Sequence, residues 1–280
     1  MGVKWNKEKI SAFSDEISDS LEEQLEGLAA NKVGNIELRG VWGKNVLSLS
    51  LKEVQQVKNA AKGAGIGFSA VASPIGKFSL GGNFDDELKR LRIALEYAAI
   101  LEAPFVRIFS YYIPDGENAA DYRNQVIDWL GQLCLIAGKT DICLAHENER
   151  GIYGDNCERV LDLINTLDHD SFRLIFDFAN FVVCDVNVYD CWTALKENIT
   201  YFHIKDAVKE TKKVVPAGKG DGEILSILTE AYNGGFSSFL TLEPHLDVAA
   251  SNFGKTTPEN FMYASNALRS LLGEIKSNGW

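Results

Sequence analysis

The sequence predicts a fold of the α/β class, a single-domain (β/α)8 barrel that takes in residues 1–280. Three observations support this prediction: short β-rich runs alternate with longer segments of helical spacing, there are eight of each, and no linker rich in glycine, proline or serine interrupts them. The predicted strands lie near residues 10–13, 35–38, 66–71, 104–109, 142–146, 172–176, 199–204 and 238–242.

The segments between the strands have the apolar spacing of helices. In residues 19–31, Leu21, Leu25 and Leu28 fall on one face, and Ser18 or Asp19 is placed to cap the first turn. Because strands that alternate with helices form right-handed crossovers, the sheet is predicted to be parallel. The predicted helices cover residues 19–31, 50–62, 84–102, 118–138, 155–167, 188–197, 221–233 and 257–273.

A doubly wound open sheet is the rival architecture. Such a sheet usually has a glycine-rich turn after its first strand, where a nucleotide phosphate binds. Here the first strand runs into residues 13–17, Phe-Ser-Asp-Glu-Ile, which contain no glycine. The glycines of residues 63–67 precede a strand, so they indicate a helix stop and a turn. The barrel is therefore favoured.

Composition and charge limit the classes of function. The 280 residues are 46% hydrophobic and 24% charged, as in ordinary globular proteins, and their net charge of −11 disfavours a nucleic-acid partner. The sequence has no apolar run long enough to cross a bilayer and none after the first lysines, so we expect neither a membrane segment nor a secretory signal. The five cysteines lack CxxC spacing, which predicts buried, reduced thiols in a cytoplasmic protein.

Four side chains of metal-binding type share one context in the second half of the chain. Glu147, Asp177, His203 and Glu243 each lie at or just after the end of a predicted strand. Because the carboxyl ends of parallel strands meet at one rim of a barrel, we expect these side chains to gather there. Each has an ordinary alternative when taken alone: Asp177, for instance, could be a helix N-cap. A carboxylate next to an apolar strand nevertheless needs compensation, which a bound cation supplies.

The chemistry of this ligand set narrows the choice of metal. Three carboxylates and one imidazole favour a single divalent ion from among Mn²⁺, Mg²⁺, Co²⁺ and Zn²⁺. Net negative charge would remain, which makes the ion a moderate Lewis acid. Such an ion suits a bidentate hydroxyketone better than the activation of a lone water.

Other polar residues are predicted to lie at the same rim. Lys205 follows His203 by two residues, so the strand period points both side chains the same way, and Lys205 is a candidate catalytic residue. His245 has the same relation to Glu243 and is a candidate for substrate contact or for support of that ligand. The backbone N–H groups of residues 218–222 precede a helix and suit either a phosphate or carboxylate site or a flexible turn. Further candidates for substrate contact are Arg39, Ser73, Arg107 and Asn148.

Nine short segments carry a resemblance that runs over nearly the whole chain: residues 13–17, 36–39, 73–77, 107–110, 146–148, 176–177, 203–206, 216–221 and 242–245. In their order and spacing they resemble the xylose-isomerase-like TIM-barrel superfamily of sugar (phosphate) isomerases and epimerases. The resemblance implies that Glu147, Asp177, His203 and Glu243 hold one divalent ion. It further implies that Glu147 and Glu243 act as an acid/base pair on opposite faces of a small sugar or polyol. The relatives often form homo-oligomers.

The chain departs from the ketose 3-epimerases of that superfamily at two positions. Asn180 stands where those relatives usually carry a histidine, three residues after the aspartate ligand, and Lys209 stands where they often carry an arginine. Asparagine hydrogen-bonds a hydroxyl but relays no proton, and lysine lacks the planar fork of arginine. These differences leave the substrate and the reaction open, and both residues stay candidates for substrate contact.

The favoured function is a metal-dependent isomerase or epimerase that removes a proton α to a metal-bound carbonyl of a small sugar, keto-sugar or cyclitol derivative. An inosose-type dehydratase needs the same parts and is the main alternative. The superfamily also includes apurinic-site endonucleases of DNA repair, which assemble three zinc ions with additional histidines. This chain has four histidines, too few for such a site. A non-catalytic sugar-binding barrel is the remaining alternative.

Overall fold

The computed structural model describes residues 5–246 and 256–278. Its centre is a closed barrel of eight parallel strands, in which each strand pairs with its neighbours in chain order and the first pairs with the last. The barrel strands are β1 (Ile10–Ala12), β2 (Asn35–Leu38), β3 (Gly67–Ala72), β4 (Phe105–Ile108), β5 (Cys143–Glu147), β6 (Phe172–Asp177), β7 (Ile199–Ile204) and β8 (Leu240–Leu242). The predicted (β/α)8 barrel is confirmed.

Nine helices surround the barrel in the described ranges. They are α1 (Leu21–Ala30), α2 (Leu51–Gly63), α3 (Phe84–Leu101), α4 (Ala119–Ala137), α5 (Cys157–Leu167), α6 (Phe178–Val183), α7 (Val188–Leu195), α8 (Ile224–Asn233) and α9 (Pro258–Asn278). Eight of them match predicted segments. The short helix α6 was not predicted, because its six residues are too few to show an apolar period.

Asparagine and serine caps fix where several helices begin. The side chain of Ser20 accepts a hydrogen bond from the Glu23 N–H and caps α1, so the expectation that Ser18 or Asp19 is the cap was wrong by one or two positions. Ser50 and Glu53 form a reciprocal capping box at α2. These caps start each helix right after its βα loop and so set the length of the loop.

The core lies between the strands and the helices, with a smaller apolar layer of Ala70, Ala145, Ile175 and Tyr201 inside the barrel. All five cysteines are free thiols. Cys134 and Cys191 are buried as expected, whereas the other three are only half-buried. None of the helices in the described ranges has the length and apolar character needed to cross a lipid bilayer.

Candidate metal centre

The structure brings together the four side chains predicted as metal ligands. Glu147 ends β5, Asp177 ends β6, His203 is the next-to-last residue of β7, and Glu243 follows β8. One ligand atom from each lies within 4.8 Å of the others, and all four residues are buried. Four consecutive strands thus supply one side chain each to a single place at the carboxyl end of the barrel.

The imidazole of His203 lies at the middle of this cluster. Its Nδ1 atom is 3.1 Å from Glu147 Oε1, 3.5 Å from Glu243 Oε2 and 3.8 Å from Asp177 Oδ2. Asp177 also keeps the alternative role considered for it, since its Oδ1 accepts a hydrogen bond from the Asn180 N–H and caps α6. One oxygen of Asp177 therefore serves the helix while the other faces the cluster.

The arrangement fits a divalent cation. His203 Nδ1 and Asp177 Oδ2 are buried and form no hydrogen bond of acceptable geometry within the described residues. Buried polar atoms are normally satisfied. Asp177 Oδ2 has an ion pair with Lys205 at 3.0 Å, and a cation between Asp177 Oδ2 and His203 Nδ1 would satisfy both atoms. Three carboxylates and one imidazole, all turned toward one point, are the donor set that Mn²⁺, Mg²⁺, Co²⁺ or Zn²⁺ accepts.

The charges at the site also favour bound positive charge. Burial opposes the ionisation of Glu147, but His203 and Arg107 outweigh it and lower the pKa of Glu147 to about 2. Burial raises the pKa of Asp177 to about 7 even though Lys205 attracts its carboxylate. Burial also disfavours the charged form of Lys205, yet Asp177 and Glu243 hold its pKa well above the usual value.

Lys205 lies beside the cluster, as its spacing of two residues from His203 predicted. Its Nζ atom is 3.0 Å from both Asp177 Oδ2 and Glu243 Oε2. Asn180, at the start of α6, donates from its side-chain amide to Glu147 Oε1 at 3.3 Å. Both side chains therefore touch candidate ligands and line the space next to the cluster.

Arg39 and Arg107 each pair with one of the two glutamates. Arg39 NH1 is 3.3 Å from Glu243 Oε1, and Arg107 NH1 is 3.2 Å from Glu147 Oε2. Their burial differs slightly, since the Arg39 side chain is 17% exposed and the Arg107 side chain 5%. Each glutamate of the cluster therefore has its own arginine partner.

The remaining predicted contact residues fall into three situations. Asn148 is fully engaged by the backbone of Asp177, to whose carbonyl it donates and from whose N–H it accepts. Ser73 is buried and donates to the Arg107 carbonyl. Lys209 is exposed in the hairpin after β7, and no contact described for it reaches the cluster. The structure thus brings Asn148 and Ser73 to the frame around the site but does not bring Lys209 there.

His245 belongs to a second cluster beside the first. Its Nδ1 atom is 2.7 Å from Glu16 Oε1, and its Nε2 atom is 3.6 Å from Glu243 Oε1. The backbone N–H of His245 also donates to Glu16 Oε2. Glu16 thereby fixes the orientation of His245 next to Glu243.

Glu37 is a site residue that the sequence prediction missed. It is fully buried in β2, and both of its carboxylate oxygens lie 3.2 Å from His203 Nε2. Glu37 Oε1 also accepts a hydrogen bond from the Tyr201 hydroxyl. The available signal was an acidic residue inside an otherwise apolar strand, on the same side of β2 as Arg39.

The glycine-rich segment at residues 218–222 is closed around a carboxylate of the chain itself. The N–H groups of Gly218, Gly220 and Gly222 all donate to the side chain of Asp206. A Cβ atom on Gly222 would lie 2.7 Å from Asp206 Oδ1, so the close approach requires glycine there. These N–H groups are not free for a phosphate, and the segment is an ordered turn.

A comparison with protein families decides the identity of the fold. The family model described as xylose isomerase-like TIM barrel matches residues 29–268. The chain belongs to this family. The resemblance seen in the sequence segments is thereby confirmed, and the superfamily includes sugar isomerases and epimerases.

Solved structures show the same xylose isomerase-like barrel. The chain is similar to a D-tagatose 3-epimerase-like protein with 17% identity and a TM-score of 0.79 over 97% of this chain and 100% of that one. The IolI protein with a bound zinc atom is similar with 17% identity and a TM-score of 0.76, over 95% of this chain and 99% of that one. The probable 3-DHS dehydratase AsbF from Bacillus anthracis is similar with 15% identity and a TM-score of 0.75, over 93% of this chain and 98% of that one. These likenesses show the fold, and no curated protein sequence matches the chain.

Proposed function

We propose that this xylose isomerase-like barrel is a divalent-metal-dependent isomerase or epimerase of a small sugar, keto-sugar or cyclitol derivative. The observation that carries the proposal is the convergence of Glu147, Asp177, His203 and Glu243 within 4.8 Å, with Lys205 beside them. Lys205 and two arginines offset part of the cost of burying these three carboxylates next to Glu37, and a bound divalent ion would offset the rest.

A bound divalent ion would acidify the C–H bond next to a ketone and stabilise the negative charge that develops on oxygen. Two carboxylate side chains of the protein would then move the proton. Glu147 and Glu243 come from the outer two of four consecutive strands and therefore flank the cluster. One of them removes the proton, and the other returns it to the opposite face in an epimerisation. In an isomerisation the same carboxylate returns it to the neighbouring carbon.

Lys205 and Asn180 are proposed to orient the substrate. The Lys205 ammonium group is a donor suited to a carbonyl or hydroxyl oxygen, and the Asn180 amide both donates to and accepts from a hydroxyl. Each already touches a ligand carboxylate, so a substrate that reaches the metal also comes within their range.

The charges of the site favour an uncharged substrate. Arg39, Arg107 and Lys205 are each paired with a carboxylate of the cluster. In the described part of the chain, no cation next to the cluster is left over to neutralise a phosphate. A neutral polyol-ketone matches this balance better than a sugar phosphate does.

The proposal is tested by incubating the metal-free protein with Mn²⁺ and a panel of ketoses and inososes in deuterium oxide. Exchange of the proton α to the carbonyl, with formation of an epimer or an aldose, supports it. Loss of water from the substrate would instead show the dehydratase, which uses the same α-proton abstraction. A protein that catalyses neither on any member of the panel but cleaves an abasic duplex would be a DNA repair enzyme.

The placement of the histidines argues against that last outcome. His203 and His245 lie at the site. His146, within β5, forms a hydrogen bond with Ser110, and His169 lies in the turn before β6. Within the described residues the site thus has two histidines near it, and a three-zinc centre needs more.

A further inference from the structure

Phe13 links the two halves of the proposed acid/base pair. It directly follows β1 and is fully buried, and its N–H donates to the Leu242 carbonyl of β8. The guanidinium carbon of Arg39 lies 4.6 Å from the centre of the Phe13 ring, and that of Arg107 lies 5.2 Å from it. One aromatic ring therefore contacts two cations that come from different strands.

Each of these cations contacts a different glutamate, and Arg39 also donates a hydrogen bond of 2.8 Å from Nε to Asp15 Oδ2. Arg39 NH1 contacts Glu243 Oε1, and Arg107 NH1 contacts Glu147 Oε2, as described above. The other oxygen of each glutamate faces the cluster, Glu147 Oε1 toward His203 Nδ1 and Glu243 Oε2 toward His203 Nδ1 and Lys205. Each carboxylate therefore makes contacts through both of its oxygens, and one of the two oxygens contacts an arginine.

The Phe13 ring also touches the histidine between the glutamates. Its centre is 5.2 Å from that of the His203 ring, and the two planes meet at 79°, an edge-to-face contact. Burial strengthens a cation–π contact, and both contacts are buried, so the ring helps to hold the two guanidinium groups in place.

The geometry points to Phe13 as a positioning residue for proton transfer, which sets Arg39 and Arg107 and through them the orientation of Glu243 and Glu147. This inference rests on the proposed function. Phe13 itself reaches no proton and binds no metal. Its effect is on the angle at which each carboxylate meets the C–H bond, and a misplacement of about 1 Å at such a group costs up to about 100-fold in rate.

The test separates the two glutamates by measuring hydrogen exchange from each epimer. In deuterium oxide, exchange into the unconverted starting epimer needs only the glutamate on its own face. Arg107→Lys should therefore slow exchange from one epimer and Arg39→Lys from the other. Phe13→Leu should slow both by about tenfold while changing KM less than about threefold. Mn²⁺ affinity should stay within about threefold, since the four candidate ligands remain and so does Glu37, the hydrogen-bond partner that orients the His203 ring.

The matched control is Phe172→Leu. Phe172 is as completely buried as Phe13 but starts β6, at the far end of that strand from Asp177, and no guanidinium group lies over its ring in the described contacts. Its exchange rates should equal those of the wild type.

A Phe13→Leu protein that melts like the control and exchanges both epimers at the wild-type rate overturns the inference. So does an equal loss from both epimers in each arginine variant, which would make the arginines general substrate contacts. A wild-type protein that exchanges no ketose proton overturns the proposed function itself and this inference with it.

Discussion

The Nε2 atom of His203 lies 3.2 Å from both carboxylate oxygens of Glu37, on the side of the ring away from the cluster. A carboxylate that accepts the N–H of a histidine fixes both the ring and its tautomer, so that the other nitrogen is free to bind a metal. Glu37 thus turns Nδ1 of His203 toward Glu147, Asp177 and Glu243. The candidate ligand set consequently depends on a residue from β2, which lies three strands from β7 around the closed barrel.

Replacing Glu37 by Gln should weaken metal binding. The amide no longer favours an N–H on Nε2 of His203, and loss of such a partner typically lowers metal affinity by about 10- to 100-fold. Titration calorimetry with Mn²⁺ measures this directly. Tyr201→Phe, which removes the other hydrogen bond to Glu37, is the control and should change the affinity much less. Equal affinity in wild type and Glu37→Gln would deny Glu37 this role.

Glu147→Gln should abolish turnover and leave the fold intact. The substitution keeps the size of the side chain but removes the proton acceptor, and general acid/base catalysis contributes about 10²- to 10⁴-fold. The rate of α-proton exchange is the measurement, with circular dichroism as the check on folding. Glu149→Gln is the matched control, since Glu149 pairs with Lys77 at the rim and should retain near-normal activity. Full activity in Glu147→Gln would remove that residue from the acid/base pair.

Divalent cations should stabilise the folded protein against heat. A ligand that binds only the folded state adds about 2.7 kcal/mol at a free concentration of 100 times its Kd, which corresponds to a rise in Tm of about 5–10 °C. Differential scanning calorimetry of the metal-free protein across a Mn²⁺ titration measures the rise. Asp177→Asn should show a much smaller one, because it loses a candidate ligand. An unchanged wild-type Tm across the titration would count against the metal centre.

His146 should make the protein sensitive to mild acid. Burial lowers the pKa of His146 from 6.5 to about 4. Between these two pH values, His146 is therefore neutral in the folded protein but protonated in the unfolded chain. The stability that the neutral ring contributes is complete above pH 6.5 and is lost as the pH falls toward 4. The loss is on the order of 3 kcal/mol. Urea unfolding from pH 7.5 to 4 should show this loss in the wild type but not in His146→Gln, and parallel curves would refute it.

Gly220→Ala should destabilise the turn around Asp206. An added Cβ would lie 2.6 Å from Asp206 Oδ1 and still closer to the Ala207 carbonyl oxygen, so the turn would have to open. We expect a loss of about 2–4 kcal/mol in the free energy of unfolding, since buried hydrogen bonds to a carboxylate would break. Gly273→Ala in α9 meets no atom within 4 Å and is the control, expected to be neutral or stabilising by up to about 1 kcal/mol.

Much of the fold, and the meeting of the four candidate ligands at one place, could be predicted from the sequence. Strands such as β6 and β7 stand out because their apolar runs are short and stop at a polar residue, and the parallel barrel then places Asp177 and His203 at one rim. Lys205 followed from the period of two in a strand. These inferences need only local pattern and one rule of architecture.

The supporting contacts could not be obtained in this way. Glu37 and Phe13 act on residues far away in the chain; Phe13 is of a type that commonly fills a core, and the acidic Glu37 is unusual there but its partner cannot be read from nearby residues. The turn at residues 218–222 looks like an anion site until Asp206 is seen to occupy its N–H groups. Such pairings depend on which side chains face each other across the closed barrel, and local sequence does not encode that.

The contact between Arg39 and Glu243 joins residues 204 positions apart and lies at the closure of the barrel. During synthesis on a ribosome, the early strands and three of the four candidate ligands therefore emerge well before Glu243. We expect tight binding of a cation only after the last barrel strand has emerged and paired with the first. A truncated product without β8 and Glu243 would then bind the ion less tightly than the closed barrel does.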